Sequence, residues 1–406
     1  MGQLQSTTNV WLTVSPLVDK TVQRQLEIHW ENAPENNEND WLGIYTTDPL
    51  NRTQPITKVM VDQRINGDNL TNIQFPYYNF TTIPGKLTQQ CLGYYVAYVH
   101  NNMILSKNCM KNNPFWMQNS LPIIGDRPLT ELVIPGTHDA GSYEKYDPNI
   151  KDDLKNFVIT QDECIYNQLV YGIRYMDLRV GYHNVTDSTE RLWIVHSLYR
   201  TNLTVRSLCQ QIREFLMAAP HEIVLVDFHA FVNGFEDEDD EDILWSRFRE
   251  WFDLVSDELR DLMIPFSLGY NVSVNELIGQ NKRVLLGFDM SYDKYLSSGL
   301  LWPNVRHQWA DADDLDELVK YFDETLCQED SRHTLRSAMA ELTPNIEGII
   351  KQKYKSLRSL AQLTNSRYGQ WFGQRWPGQC LNVVASDFFL STNIVELALG
   401  LNHRNG

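Results

Sequence analysis

Two histidines, an arginine and several carboxylates stand at the ends of short apolar segments in the second part of this chain. His138 and Asp139 follow LTELVIPG, Asp177 and Arg179 lie in GIRYMDLRV, His196 ends LWIVH, Asp227 lies in EIVLVDFHAF, Asp289 follows RVLLGF, and Asp387 follows LNVVAS. Two separated imidazoles can divide general-base and general-acid work at neutral pH. A guanidinium offers paired donors to a phosphate-like oxyanion and stays charged throughout. Carboxylates can hold each imidazole in one tautomer and stabilise its cation. The combination suits cleavage of a phosphodiester. Singly, each residue has an ordinary explanation as a satisfied polar group or a salt bridge. Five or six on one face do not, because burying unpaired charge is costly.

These residues need a scaffold that gathers strand ends. Beyond Pro114 and Leu121-Pro122, apolar strand-like segments alternate with the amphipathic helices SLCQQIREFLMAA and ILWSRFREWFDLV and with a long helical stretch near 313–362. Such alternation over nearly 300 residues predicts parallel βα units closed into a TIM-type barrel, whose chemistry sits at the C-terminal strand ends. Residues 1–112 read differently. Segments at 9–14, 25–30, 41–45 and 91–109 are alternating or aromatic-rich, with polar turns between them, which predicts a small all-β, sandwich-like accessory domain. The expected division is therefore 1–112 and 113–406.

Composition narrows the partners. The 406 residues carry 35 Lys+Arg against 52 Asp+Glu, a formal charge of −17. No clustered basic face exists, which excludes broad nucleic-acid binding and disfavours attraction to anionic lipid. Membrane contact must then be local, apolar and peripheral. No stretch reaches the ~18 apolar residues of a spanning helix. The acidic run Glu236–Asp242 lacks the interleaved glycine of a cation loop and reads as a solvated segment.

Six cysteines show no zinc spacing. Residues 91–99 and 103–109 form a plausible hairpin that brings Cys91 nearly opposite Cys109, within reach of a disulfide. Sequons begin at Asn51, Asn69, Asn79, Asn184, Asn202 and Asn271. Disulfide and sequons lean toward a secreted glycoprotein rather than a cytoplasmic protein. The start MGQLQSTTNV has no signal-peptide pattern, and Met1-Gly2 with Ser6 fits the loose myristoylation motif.

The segments LVIPGTHDAGSY (132–143), QLVYGIRYMDLRVGY (168–182), LWIVHSLY (192–199), EIVLVDFHAF (222–231), LLWPNVRHQWAD (300–311) and LNVVASDFF (381–389) carry a resemblance. Together they resemble, in order, the X domain of phosphatidylinositol-specific phospholipase C, in its metazoan X-domain-only and bacterial forms. The resemblance covers 113–406, and PGTHD and GIRYxDLR are its specific parts. It implies a distorted, incompletely closed TIM-type barrel. Carried over, the general base falls on His138 and the general acid on His196. Asp387 matches the carboxylate orienting the base, Asp139 the one serving the acid and the arginine, Arg179 the phosphate-contacting arginine, and Asp177 its neighbour. In calcium-dependent eukaryotic relatives the Arg179 position is an acidic metal ligand and the Asp139 position an asparagine. An arginine here implies catalysis with no metal and no cofactor.

The implied reaction turns phosphatidylinositol, or its glycosylated form, into diacylglycerol and inositol 1,2-cyclic phosphate. The chain departs from the bacterial pattern where basic residues contact inositol, carrying Asp227, His229 and Asp289 in those neighbourhoods. Trp302, Trp309, Trp371, Phe372 and Trp376 are candidates for a rim entering the bilayer, with Trp302 also counted at the substrate and Trp309 expected to be partly buried. Two rivals stand beside this reading. One is a sphingomyelinase-D-like phosphotransferase, whose need for a divalent cation Arg179 opposes. The other is a catalytically silent lipid- or glycan-binding protein.

Overall fold

The computed structural model describes residues 7–404 apart from 19–21, 52, 146–153, 187, 297, 329–333 and 377. Met1, Gly2 and Ser6 therefore lie outside the described residues. The chain forms two compact units, one of residues 1–78, 88–113 and 390–393, the other of 79–87, 114–389 and 394–406.

In the first unit, β1 (Asn9–Val14), β2 (Gln25–Glu31) and β5 (Gly67–Gln74) make one antiparallel sheet, and β4 (Thr57–Met60), β3 (Trp41–Tyr45), β6 (Cys91–His100) and β7 (Met103–Lys111) make another. Alternation explains β1, whose Val10 and Leu12 lie opposite Trp30 and Ile28. It could not reveal β5, where Thr71 is the one buried side chain. Asn101 and Asn102, both at positive φ, turn the β6–β7 hairpin. Cys91 and Cys109 are bonded, with Cα atoms 5.8 Å apart. The register differs from expectation, since Cys91 pairs with Lys111 and Cys109 with Tyr95 across an irregularity.

The second unit is built on a ten-stranded sheet. Its strands are β8 (Ile134–Thr137), β9 (Tyr175–Tyr182), β10 (Leu192–His196), β11 (Tyr199–Thr204), β12 (Val224–Phe231), β13 (Val284–Phe288), β14 (Leu301–Pro303), β15 (Arg306–Gln308), β16 (Arg336–Met339) and β17 (Val383–Ser386). The main path runs β14-β13-β12-β9-β8-β17-β16-β15 with parallel pairing, and the β10–β11 hairpin lies against β9. The sheet curls, because its edge strands β14 and β15 are separated in the chain by Asn304 and Val305 alone. Two expectations need correction. LWIVH is no parallel barrel strand, since β10 runs antiparallel to β9. The supposed helical stretch at 313–362 contains β16, whose four buried residues sit among helix-forming types.

Helices α1 (Trp116–Ile124), α2 (Ile165–Tyr171), α3 (Val205–Ala218) and α4 (Glu241–Leu259) precede α5 (Val274–Gly279), α6 (Leu315–Thr325), α7 (Ile346–Ile350), α8 (Leu357–Asn365) and α9 (Tyr368–Gln370), and α10 (Ile394–Arg404) is the last helix of the unit. Thr204 caps α3 through the Ser207 N–H, and Val205, Leu208, Ile212 and Phe215 make its buried stripe. The acidic run finds its use at α4. Asp240 accepts the Asp242 and Ile243 N–H groups, and Glu241 and Asp242 occupy the first turn, where the helix dipole favours negative charge. A second disulfide, Cys327–Cys380, was not apparent from spacing. All six sequon asparagines are exposed. Among the described residues no helix is long and apolar enough to cross a membrane.

One buried ion pair ties α1 to the sheet. Arg174, fully buried, bonds Glu222 through Nε at 2.9 Å and Nη2 at 2.6 Å, while Glu222 accepts the Met117 and Gln118 N–H groups. Either partner left alone would be an uncompensated interior charge. Arg174→Ala or Glu222→Ala should each lower unfolding stability by about 3–5 kcal/mol, read from the urea midpoint.

Candidate active site

Strand register assembles the site. Thr137 pairs with Met176 and with Ser386, and Asp177 pairs with Asp227. One residue past β8 and β17, this puts Asp387, His138, Asp177 and Asp227 in a single rung at the C-terminal end of four adjacent strands, where rung neighbours share a face. Gly287 continues the rung beside Asp227. A Cβ there would collide with the Asp227 carboxylate, so the missing side chain makes its room. Arg179, two residues beyond Asp177, points to the same face.

The polar atoms converge on Asp139. Arg179 Nη1 donates to Asp139 Oδ2 at 2.7 Å, and the same oxygen lies 3.3 Å from His196 Nε2 and 3.4 Å from His138 Nε2. His138 Nδ1 donates to Asp387 at 2.8 Å, and His196 Nδ1 to the Val158 carbonyl at 2.7 Å. Both rings are thereby held with Nε2 toward Asp139. Their centroids are 6.3 Å apart and their planes cross at 80°.

Loops hold these residues in unusual backbone. Asp139, Ser197 and Phe388 have φ of +40°, +54° and +46°, each at or next to a histidine or carboxylate of the site. Asp177 accepts the Asp139 N–H at 3.1 Å, and Thr160 donates to the Asp139 carbonyl and accepts from Phe388 N–H through its own carbonyl. Gln161 bridges the His138 and Ser386 carbonyls, and Asn365 holds that of Asp387.

Charge follows geometry. Burial opposes a charged His138, yet the negative charges of Glu341, Asp139 and Asp387 outweigh it and hold the imidazole well above its ordinary value. Burial likewise opposes ionisation of Asp177, but His307, Arg179 and His138 pull its carboxyl below the usual range. His307 is pushed down to about 3, first by burial.

Three residues at this site were missed in the sequence. His307 stacks on His229, centroids 3.6 Å apart at 4°, and its Nε2 lies 2.8 Å from the Tyr175 hydroxyl, which is 3.0 Å from Asp227 Oδ2. Glu341 follows β16, where Met339 pairs with Ala385, so it joins the rung beside Asp387. RHQW was visible within a recognised segment, whereas SAMAELT carries no strand signal beyond its shortness.

The remaining expected residues are engaged by the protein itself. Asp227 accepts from Tyr175 and the Val305 N–H, so its oxygens are committed to the protein. Asp289 caps a turn through Ser291 N–H. Trp302 is 1% exposed, donates to the Ile264 carbonyl and packs edge-on against Phe266 and Tyr270, so it reaches neither a substrate nor a bilayer. Trp371, Phe372 and Trp376 are buried in an aromatic cluster with Phe322, and Trp376 donates to Asp323. Trp309 is partly buried as expected, its indole N–H donating to the Thr343 hydroxyl at 2.9 Å, yet 46% of it still reaches solvent. Residue type alone could not separate amphipathic rim from core.

Among the described residues two groups have candidate ligand atoms within 4.8 Å of one another, Asp177/His229/His307 and His138/Asp139/Asp177. Neither suits a cation. The parallel stack of His229 and His307 keeps their in-plane lone pairs from meeting. In the second group Arg179 already lies between Asp139 and Asp177, at 2.7 and 3.9 Å.

No family model matches the chain. It is 26% identical over 314 residues to PI-PLC X domain-containing protein 1 of Danio rerio, covering 71% of this chain and 96% of that one. It is 27% identical over 259 residues to the human PI-PLC X domain-containing protein 2, covering 59% and 80%. Its fold resembles that of a variant phosphatidylinositol-specific phospholipase C from Staphylococcus aureus, with TM-score 0.52, 16% identity and coverage of 70% and 96%. The resemblance expected from the sequence motifs thus holds over most of the chain.

Asp387→Asn removes a negative charge bonded to His138 and so stabilises the imidazolium less. The His138 titration followed by NMR should fall by about 1–3 pH units.

Proposed function

We propose that this protein cleaves phosphatidylinositol or a glycosylated phosphatidylinositol, using His138 as general base and His196 as general acid. The observation that carries this reading is the pair of crossed imidazoles aimed at one arginine-bonded carboxylate. His138 removes the proton of the inositol 2-hydroxyl, and that oxygen attacks phosphorus in line. Arg179 stabilises the charge gathering on the phosphoryl oxygens. His196 protonates the departing diacylglycerol oxygen, leaving inositol 1,2-cyclic phosphate, and Asp387 stabilises the imidazolium formed at His138. Arg179 takes the place a calcium ion would hold, so the reaction proceeds without metal.

His138→Ala or His196→Ala should lower turnover by about 10²–10⁴-fold. Phosphorus NMR of the products should show the cyclic phosphate with and without EDTA. Near-normal turnover in either variant overturns the roles, and a strict calcium requirement overturns the part given to Arg179.

Local apolar contact with the bilayer fits the exposed Leu198 and Trp309, each two residues past a site histidine, His196 and His307, with Ile346 and Ile350 exposed on α7. Leu198→Ser combined with Trp309→Ala should weaken binding to phosphatidylinositol vesicles, with only a shallow dependence on salt.

A further inference from the structure

Acceptors outnumber donors at this end of the sheet. Asp139 has Arg179, Asp177 has the Asp139 N–H, and Asp387 has His138. Even so, Oδ1 of Asp139 and Oδ1 of Asp177 are buried with no hydrogen bond among the described residues. Glu341 is the extreme case. It is 4% exposed, and neither of its carboxylate oxygens makes a hydrogen bond among the described residues. Only its own backbone N–H eases its charge. Met339 pairs with Ala385 and Ser386 with Thr137, so Glu341 lies beside Asp387, and Asp387 beside His138. Its side chain leaves the strand on the face that carries the chemistry.

The donors that feel the charge of Glu341 are turned to other acceptors. His138, Arg179, Tyr175 and Tyr368 all interact with it electrostatically. Arg179 is drawn to Asp139, His138 Nδ1 to Asp387, the Tyr175 hydroxyl to Asp227, and the Tyr368 hydroxyl to the Ala385 carbonyl. A buried carboxylate without a donor is costly, so the donor that satisfies Glu341 must come from outside the protein. An anionic group would set one negative charge against another. A neutral hydroxyl donates without adding charge. We propose that Glu341 binds the inositol ring of the substrate, its carboxylate accepting hydrogen bonds from ring hydroxyls other than the one that attacks phosphorus. This role deepens the proposed cleavage of an inositol lipid and rests on that reading. It makes Glu341 a determinant of specificity, since a ring without those hydroxyls leaves the carboxylate buried and unpaired. The same charge strengthens the hold of His138 on a proton. That second effect meets every substrate alike.

Two lipids separate ring binding from an effect on the histidine. One is phosphatidylinositol, and the other is the analogue whose ring is cis-2-hydroxycyclohexyl, which keeps the attacking hydroxyl and lacks the rest. The wild-type protein should prefer phosphatidylinositol in kcat/KM, and Glu341→Leu should cut that preference by about 10–100-fold, the weight of hydrogen bonds to a charged group. At a fixed pH, any change at His138 falls on both lipids and cancels in the ratio. A preference that Glu341→Leu leaves unchanged overturns the proposal, however far both rates drop. Binding gives a readout that needs no turnover. Titrated by NMR, the wild-type protein should hold myo-inositol 1-phosphate more tightly than cis-2-hydroxycyclohexyl phosphate, and Glu341→Leu should hold the two about equally. No difference in the wild type, or a difference that survives in Glu341→Leu, overturns the proposal. If the wild-type protein cleaves neither lipid, the proposed reaction fails, and the two phosphates still decide what Glu341 binds.

Discussion

One oxygen organises this site. Oδ2 of Asp139 faces Arg179, His196 and His138 at once. A buried carboxylate so placed requires a cation, and Arg179 provides it from β9 while staying charged in either protonation state of its neighbours. The backbone meets that demand: strand register places the ends of β8, β9 and β17 in one rung with Arg179 two residues beyond Asp177, and both imidazoles present Nε2 to that oxygen. The Val158 carbonyl and Asp387 matter because they hold the far side of each ring.

Much of this was legible in the sequence where chemistry and strand ends coincide. PGTHD and GIRYMDLRV named His138, Asp139, Asp177 and Arg179, and the structure brings them together with His196 and Asp387. What escaped notice depends on partners distant in the chain. β16 is four residues long and flanked by helix-forming types, so only its pairing with β15 and β17 makes it a strand. Missing it concealed Glu341. The burial of Trp302, Trp371 and Trp376 depends on aromatic neighbours such as Phe266 and Phe322, and an indole carries no mark of which side it will face. Asp227 illustrates the opposite error. Its position at a strand end suggested substrate contact, but Tyr175 and the Val305 N–H take up its oxygens.

Asp227 also connects the site to the way the sheet curls. The interval between β14 and β15 has no ladder of its own, and its polar groups are met from elsewhere: Val305 N–H by Asp227, Asn304 N–H by the Phe288 carbonyl, and the Asn304 amide by donating to the His229 carbonyl. A polar side chain next to the chemistry thereby also serves closure of the scaffold, and Gly287 is the vacancy that admits it.

Left-handed backbone at Asp139, Ser197 and Phe388 has a consequence for how this protein would fail. Each such residue stores on the order of 1–3 kcal/mol that surrounding packing must hold. The tension is gathered at one end of the sheet, under loops fastened by Thr160, Gln161 and Asn365. Gentle heating would release that end before the body of the unit melts, so competence would disappear while most secondary structure survived.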